Sequence, residues 1–240
     1  MNYSEGIWLS LNSTGSVLVM VPTLNEERGI RRVLLDMPED IDVLVVNGGS
    51  TDETVEVAKQ YRVTVIRQKF GRGKGYGVRT GMEFFLSTKY DVLCMIDGDG
   101  SNDPRELPKM IEAMEAENAE VVLGSRIRGK REKGAMDPFT IFSNFIVSLF
   151  LGLRFLRIFT DVQTGYWVFS RKAVETLYPR LKAKGFEIEM EIFVLTFDVG
   201  LKCIEVPVRY KKRLGKTKFR LFLRFRNFGY MIYYLLCSFF

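Results

Sequence analysis

Short apolar, β-branched runs alternate with helical patterns along the first 125 residues, and this alternation limits the fold more than any other feature. Such runs are typical of buried strands, and the segments between them have the spacing of amphipathic helices. The predicted strands are 17–21, 42–46, 63–66, 91–96 and 120–123, and the predicted helices are 26–37, 50–61, 74–87 and 105–117. The pattern predicts an α/β fold with a mostly parallel central sheet and helices on both faces.

The pattern changes after about residue 130. Segment 139–159 is mostly apolar, but its longest uncharged stretch, 138–153, is shorter than the roughly 20 residues of a bilayer span. We therefore expect either a buried helix or a helix lying in a membrane interface. Strands are predicted at 164–170 and 203–208, and helices at 172–178 and 186–199.

The chain contains no histidine, and its three cysteines lie far apart. The first fact excludes Ser-His-Asp and Cys-His triads, histidine-ligated zinc and a histidine general base. The second argues against a disulfide framework and favours a reducing, cytosolic setting. Any metal must bind oxygen ligands, which favours magnesium, manganese or calcium. The first fifteen residues lack the pattern of a signal peptide.

The net charge of +6 is unevenly distributed. Nine of the 35 basic residues lie in 209–226, where there is no acid, so the rest of the chain has 26 basic residues against 29 acidic ones. The basic segment is expected either to be a solvated face or to meet an anionic partner such as phosphate, a membrane surface or nucleic acid. No nucleic-acid-binding fold surrounds it, and nucleic acid is not expected as a partner.

Polar loops follow the predicted strands, at the edge where open α/β sheets bind ligands. Asp97 and Asp99 follow the fourth strand and point to the same side if that segment is extended. The pair either binds a divalent cation that bridges a diphosphate or forms a solvated turn. Asp103 is a weaker third candidate, because Asp-Pro commonly starts a helix.

Two basic features accompany this pair. The glycine-rich segment 71–81 either lies near a phosphate, with Arg72 or Lys74 reaching in, or is a plain loop and helix start. Arg126 follows the fifth strand, where its planar fork suits phosphate or a surface salt bridge. Glu187, Glu189 and Glu191 fall in a helical segment, and we expect most of them to be solvated, with one facing the site.

Eight motifs, in order, resemble the family 2 glycosyltransferases of the GT-A fold, and most closely the polyprenyl-phosphate (dolichyl-phosphate) hexose synthases. The likeness spans roughly residues 16–220. Its motifs are VPTLNEE (21–27), VVNGGSTDET (45–54), GRGKGYGVRTG (71–81), MIDGDG (95–100), VLGSR (122–126), TDVQTGYWVFSR (160–171), GFEIEMEI (185–192) and VPVRYKKRLGKTK (206–218).

The resemblance implies a role for each matching residue. Asp97 and Asp99 match the DxD motif that binds Mg2+ or Mn2+ and the diphosphate. The residues implied to hold the nucleotide sugar are Pro22, Leu24, Glu26, Asn47, Gly48 and Asp97, and those implied to act on the phosphates are Arg126, Arg213 and Lys218. The family usually has two acids where this chain has Asn47 and Gly48, and often an aromatic residue where it has Leu24.

The resemblance also implies an organisation and an activity. Residues 1–15 form a lead and 16–218 one GT-A domain, with a nucleotide-sugar half at 16–126 and an acceptor half at 127–218; 219–240 form a basic and apolar amphipathic tail. The implied activity is inverting transfer of a hexosyl group from a UDP- or GDP-sugar to a polyprenyl phosphate, by an enzyme bound peripherally at the cytoplasmic face of a membrane. The alternatives are a soluble acceptor or a degenerate, non-catalytic nucleotide-binding homologue.

Overall fold

A computed structural model of the protein describes residues 15–215, together with Gly229 and Tyr233. Its strands are β1 (Val17–Thr23), β2 (Asp42–Asn47), β3 (Thr64–Arg67), β4 (Val92–Met95), β5 (Val121–Ser125), β6 (Trp167–Ser170) and β7 (Cys203–Pro207). Its α-helices are α1 (Glu27–Leu35), α2 (Thr54–Ala58), α3 (Lys74–Leu86), α4 (Leu107–Ala116), α5 (Pro138–Phe155), α6 (Arg171–Leu177) and α7 (Ile188–Asp198). Single 3-10 turns lie at Pro104–Glu106 and Tyr178–Arg180.

The seven strands form one sheet in the order β3-β2-β1-β4-β6-β5-β7. All neighbouring pairs are parallel except those of β6, which runs antiparallel between β4 and β5. Met95 of β4 and Leu123 of β5 both pair with Trp167 of β6. The predicted α/β fold with a mostly parallel sheet is confirmed, and the predicted strand at 164–170 is the antiparallel one.

Two apolar cores, one on each face of the sheet, explain why the strand sequences are almost wholly apolar. Along β1, Leu18 and Met20 face one core while Val19 and Val21 face the other. Helices α1, α2 and α4 cover one face, and α3, α5, α6 and α7 cover the other. Successive strand residues point to opposite faces, so burial on both sides selects continuous Val, Leu, Ile and Met runs.

Helix α5 is buried along one stripe only. Asn144, Ser148 and Leu151 face the protein, but only 28% of the helix is buried, and its mean hydropathy is 1.5. By length and composition alone α5 is able to cross a membrane, as are many core helices of globular proteins. Its exposed face is apolar, which excludes the interpretation of a fully buried helix. The large apolar residues exposed on it and just after it are Phe139, Phe142, Phe145, Leu149, Phe150, Leu153, Leu156 and Ile158.

Several sequence-based predictions concern residues outside the described part of the chain. These are nearly all of the lead at 1–15, Lys218, and the tail at 219–240 apart from Gly229 and Tyr233. The proposed domain boundaries therefore stay predictions.

Gly29 lets helix α1 lie against the loop that carries the two aspartates. A Cβ at this position would lie 2.6 Å from the Cα of Asp99. Gly29→Ala is therefore expected to lower stability by about 1–3 kcal/mol, a fall in Tm of roughly 2–12 °C, because helix and loop must separate.

The control is Arg28→Ala, at the exposed neighbouring position of α1. Alanine is the best helix former, so this change should leave Tm nearly constant or raise it. A higher Tm for Gly29→Ala in thermal denaturation would mean that the close approach does not constrain the loop.

Candidate functional site

A cavity of about 200 Å³ opens at the carboxyl ends of β1, β2, β3 and β4. Because these strands are parallel, the loops that follow them meet at one edge of the sheet. The residues that line it are Pro22, Thr23, Leu24, Glu26, Gly48, Gln68, Gly73, Lys74, Asp97, Gly98, Asp99, Phe186 and Arg213. Seven separate parts of the chain thus meet at this cavity, among them three of the loops that the sequence places after strands.

Asp97 and Asp99 both line this cavity. Asp97 Oδ1 lies 2.5 Å from Lys74 Nζ. Asp99 Oδ1 accepts hydrogen bonds from the backbone N–H (2.9 Å) and the hydroxyl (2.5 Å) of Ser101, and its Oδ2 lies 3.3 Å from Arg213 Nη2. The aspartates therefore form part of a charged, partly enclosed site, and the interpretation as a solvated turn is wrong.

Lys74 reaches the cavity from the first residue of α3. The glycines on either side of it allow this approach: Gly73 has φ 138°, and the position of Gly75 is too close to the carbonyl of Ala183 to hold a Cβ. Only glycine adopts such a φ without strain. Lys74 Nζ pairs with both Asp97 and Glu189. Arg72 is exposed, so Lys74 is the basic residue of segment 71–81 that enters the site.

Burial and charge oppose each other at this lysine. Burial alone would lower the pKa of Lys74, but the carboxylates of Asp97 and Glu189 raise it above its ordinary value. Burial raises the pKa of Glu189, and Lys74 pulls it back down. The ammonium group therefore stays charged at neutral pH and balances the acidic side chains around it.

The expectation that most of Glu187, Glu189 and Glu191 are solvated is wrong, because all three are buried. Glu187 accepts hydrogen bonds from the backbone N–H groups of Lys184 and Gly185, and Glu191 accepts those of Lys182 and Ala183. Glu189 pairs with Lys74. Glu187 and Glu191 thus satisfy the backbone N–H groups of segment 182–185, which lies outside the strands and helices. A helical pattern alone carries no signal of such contacts.

Residues 208–215, here called the strap, cross the loop that carries the aspartates. The N–H groups of Lys211 and Leu214 donate to the carbonyls of Ser101 (2.7 Å) and Asp99 (3.1 Å). Its alternate basic side chains each meet carboxylates. Arg209 pairs with Glu106, Lys211 with Asp36 and Asp103, and Arg213 with Glu26 and Asp99. In this structure these three side chains pair with carboxylates of the same chain, whereas the sequence predicted either a solvated face or an external anion.

Asp103 and Arg126, two candidates from the sequence, face protein groups. Asp103 caps the turn at Pro104–Glu106 by accepting from the N–H of Arg105, which confirms the helix-start interpretation. The buried guanidinium of Arg126 binds Asp161 through Nε (2.8 Å) and Nη2 (2.6 Å). Burial alone would lower the pKa of Arg126, but the Asp161 carboxylate raises it. Arg126 is absent from the described lining of the cavity, and its buried pairing is not a surface salt bridge. Its role toward a phosphate stays a prediction.

All but one of the residues predicted to hold the nucleotide sugar line the cavity. Pro22, Leu24, Glu26 and Gly48 line the cavity, whereas the Asn47 side chain accepts from the N–H of Ser50 (2.9 Å) and stabilises the turn after β2. Residues missed from the sequence are Gln68, Phe186 and Asp161. Gln68 comes directly after β3, and several other lining residues also come directly after a strand. Its position could therefore have identified it as a site residue from the sequence.

The cavity fits a hard divalent cation that takes only part of its ligands from the protein. Within residues 15–215, no three His, Cys, Asp or Glu side chains form a metal-binding group. Asp97 and Asp99 offer carboxylate oxygens, and both face basic groups in the ligand-free protein. Mg2+ and similar ions are commonly held by one or two carboxylates, with substrate phosphates and water completing the shell.

A second, apolar opening of about 730 Å³ lies along α5. We call it the groove; it lies between α5 and segment 156–160, and Phe142, Phe145 and Ile158 are among its walls. Thr160 at its end hydrogen-bonds Ser125 at the end of β5 (2.9 Å). Five residues on, Gly165 lies against the Asp97 carboxylate, where no Cβ would fit. A five-residue segment spans at most about 17 Å, so groove and cavity are near neighbours.

Comparisons with known proteins agree with this geometry. The model of the glycosyl transferase family 2 matches residues 18–178. The glycosyltransferase AglJ of Haloferax volcanii is 33% identical over 200 residues, which cover 82% of this chain but only 64% of AglJ, less than two thirds of its length. The undecaprenyl-phosphate mannosyltransferase of Micrococcus luteus is 28% identical, and the match covers 84% of this chain and 86% of that protein.

Solved structures show the same fold. The glucosyl-3-phosphoglycerate synthase of Mycobacterium tuberculosis, crystallised with Mn2+ and UDP-glucose, is similar with a TM-score of 0.76. The match covers 98% of this chain and 84% of that one at 20% identity. At this identity the likeness concerns the GT-A fold alone. The family match, the relatives and the shared fold together show that this chain belongs to the glycosyl transferase family 2.

Proposed function

We propose that this protein transfers a hexosyl group from a nucleotide sugar to a polyprenyl phosphate, at the cytoplasmic surface of a membrane. One observation carries the proposal: a carboxylate-lined cavity with basic residues lies beside a large, open, apolar groove. The cavity suits a nucleoside diphosphate with its cation, and the groove suits an isoprenoid chain. A relative that covers most of this chain is named for mannosyl transfer with undecaprenyl phosphate.

For the donor, Pro22, Leu24, Glu26 and Gly48 are proposed to contact the nucleoside, and Asp97 and Asp99 to hold Mg2+ or Mn2+. The cation would stabilise the charge that develops on the leaving nucleoside diphosphate. The side chains of Pro22 and Leu24 offer apolar contact to a base or sugar ring. Gly48 has no side chain where the family usually has an acid, and Gln68 Oε1 lies 3.3 Å from where a Cβ at this position would be. This favours base recognition by Gln68, which also lines the cavity.

For the acceptor, Arg213 and Lys218 are proposed to neutralise the phosphate. A phosphate monoester is already an oxyanion near neutral pH, so the reaction requires alignment and charge neutralisation rather than a strong base. The absence of histidine from the sequence is compatible with this. Direct attack of that oxygen on the anomeric carbon, opposite the leaving diphosphate, gives inversion of configuration.

The surface around the groove suits a membrane. A loop with four exposed basic residues precedes the apolar face of α5, and Arg157 lies exposed after it. The loop residues are Arg128, Lys130, Arg131 and Lys133. Apolar side chains flanked by basic ones are what a protein uses to lie in the interface of an anionic bilayer.

Asp99→Asn is expected to abolish turnover and to lower stability by no more than about 1 kcal/mol, because the amide keeps the shape but binds cations poorly. The assay measures release of UDP or GDP from a panel of nucleotide sugars, with and without polyprenyl phosphate and Mg2+ or Mn2+. The control is Asp91→Asn, at the opposite end of the same strand region, where Asp91 binds Ser16 (2.8 Å).

Nucleotide release that never depends on polyprenyl phosphate would contradict the proposed acceptor. Metal-dependent nucleotide binding without turnover, with any donor, would favour a non-catalytic homologue.

Arg126→Met tests whether Arg126 binds phosphate or holds Asp161. Since the change leaves Asp161 buried and unpaired, we expect a loss of about 3–5 kcal/mol and a fall in Tm of roughly 6–20 °C. The control is Arg128→Met, since Arg128 is exposed and its partner Glu205, 3.7 Å away, keeps hydrogen bonds from Thr160 and Asp161 without it. A pair that is open to solvent on the arginine side should contribute about 0–1 kcal/mol. An unchanged Tm with weaker nucleotide or acceptor binding would assign Arg126 to the phosphates.

The membrane surface is tested by Phe142→Ser/Phe145→Ser, with Leu35→Ser as control. Phe142 and Leu35 are about equally exposed, at 62% and 66%, but Leu35 lies on α1, away from the groove. Burying two phenylalanines in lipid contributes about 3 kcal/mol or more, so the double variant should bind vesicles on the order of 100-fold more weakly. The measurement is flotation with phosphatidylcholine–phosphatidylglycerol vesicles at low salt. Flotation of none of the three proteins favours a soluble acceptor, and equal flotation of all three would mean that the α5 face is not the membrane contact.

A further inference from the structure

Two basic side chains of the cavity each bridge one residue of the Asp97–Asp99 pair and one glutamate from a distant part of the chain. Lys74 joins Asp97 to Glu189. Arg213 joins Asp99 to Glu26, with both N···O distances at 3.3 Å. Cationic groups therefore already occupy the side of the aspartates that faces the cavity. A divalent cation that approaches this pair meets two resident positive charges.

The two carboxylates around Lys74 differ in how open they are. The side chain of Asp97 is 28% exposed toward the cavity, while those of Glu189 and Lys74 are only 7% and 10% exposed. An ion arriving from solvent can reach Asp97 but not Glu189. Lys74 therefore has one partner that a metal ion can take and one that it cannot.

The charges of the groups decide whether a divalent cation or the Lys74 ammonium group binds Asp97. A hard divalent cation binds carboxylate oxygens more strongly than an ammonium group does, since it carries twice the charge. A buried ammonium group that loses its only partner is strongly destabilised, whereas one that keeps a second carboxylate remains compensated. Glu189 supplies that second carboxylate, and its own place on α7 is fixed by the buried residues on both sides of it.

We propose that Lys74 is the resident counter-ion of Asp97, which an arriving divalent cation displaces, and that Glu189 is the positioning residue that retains Lys74 in the cavity. Lys74 then neutralises the acidic site until a metal ion arrives. Metal binding breaks only one of the two ion pairs of Lys74, the one with Asp97. This inference rests on the proposed function, because it requires a cation site at Asp97 and Asp99. It assigns to Glu189 a role that acts through Lys74 and not through substrate.

The experiment measures Mn2+ affinity by electron paramagnetic resonance, with and without UDP or GDP. Lys74→Met should bind Mn2+ on the order of tenfold more tightly than wild type, about 1.4 kcal/mol. Glu189→Gln should bind it on the order of tenfold more weakly, since Lys74 then depends on Asp97 alone. In Lys74→Met/Glu189→Gln the affinity should equal that of Lys74→Met within about threefold, because Glu189 acts through the lysine.

The matched controls come from a second lysine–glutamate pair near α3. Lys69 and Glu83 lie 2.9 Å apart at the surface, exposed by 59% and 38%. Lys69→Met and Glu83→Gln change the net charge equally and should alter Mn2+ affinity by less than about twofold, since exposed charges are screened. Asp99→Asn should abolish Mn2+ binding and shows that the signal reports on this site.

A wild-type measurement avoids dependence on variants that fold poorly. In protein labelled with 15N-lysine, added Mg2+ should shift the ammonium signal of Lys74 and leave that of Lys69 unchanged. Lys74→Arg identifies the signal.

The outcomes separate the two proposals. Mn2+ binding that depends on Asp99 but is unchanged in Lys74→Met would mean that only this inference is wrong. The same holds if Glu189→Gln weakens Mn2+ binding equally in wild type and in Lys74→Met. If no protein of the set binds Mn2+ with or without nucleotide, the metal-dependent function fails, and the inference with it.

Discussion

The site depends on charge balance among carboxylates that the fold forces together. Glu26, Asp97 and Asp99 line one small cavity, and Glu189 lies behind it against Lys74, so three separate parts of the chain bring these acids together. Like charges at such distances repel strongly in a partly enclosed site, so the arrangement is stable only with positive groups among them. Lys74 and Arg213 are those groups, and each touches two of the acids. The glycines before and after Lys74 and the course of the strap both serve to place these two cations.

The antiparallel strand β6 links two parts of the sheet near this site. It lies between β4, which leads to the aspartates, and β5, which leads to Arg126. The segment before it holds Asp161 against Arg126 and places Gly165, which has no side chain, against Asp97. The buried Arg126–Asp161 pair thus ties the end of β5 to the segment before β6, which runs from the groove to the cavity.

The groove and its surroundings give the proposed lipid acceptor a physical basis that the cavity alone does not. Large apolar side chains stay exposed along α5, although its opposite stripe packs with small and polar residues. Exposed apolar surface of this extent is unfavourable in water unless another apolar surface covers it. The basic loop before α5 adds attraction to anionic lipid.

The sequence by itself determined the elements of the fold and the carboxylate pair, because these depend on local spacing. Strands that are buried on both faces appear in the sequence as continuous apolar runs. Asp97 and Asp99 come just after one such run, which places them at the carboxyl end of a strand. Only the tertiary structure decided the antiparallel direction of β6, the burial of Glu187, Glu189 and Glu191, and the pairing of Arg126 with Asp161. The tertiary structure also decided that the alternate basic residues of the strap form ion pairs with carboxylates of the same chain. These outcomes depend on contacts between residues as much as 187 positions apart, and no local period in a sequence records which distant charge a side chain will meet.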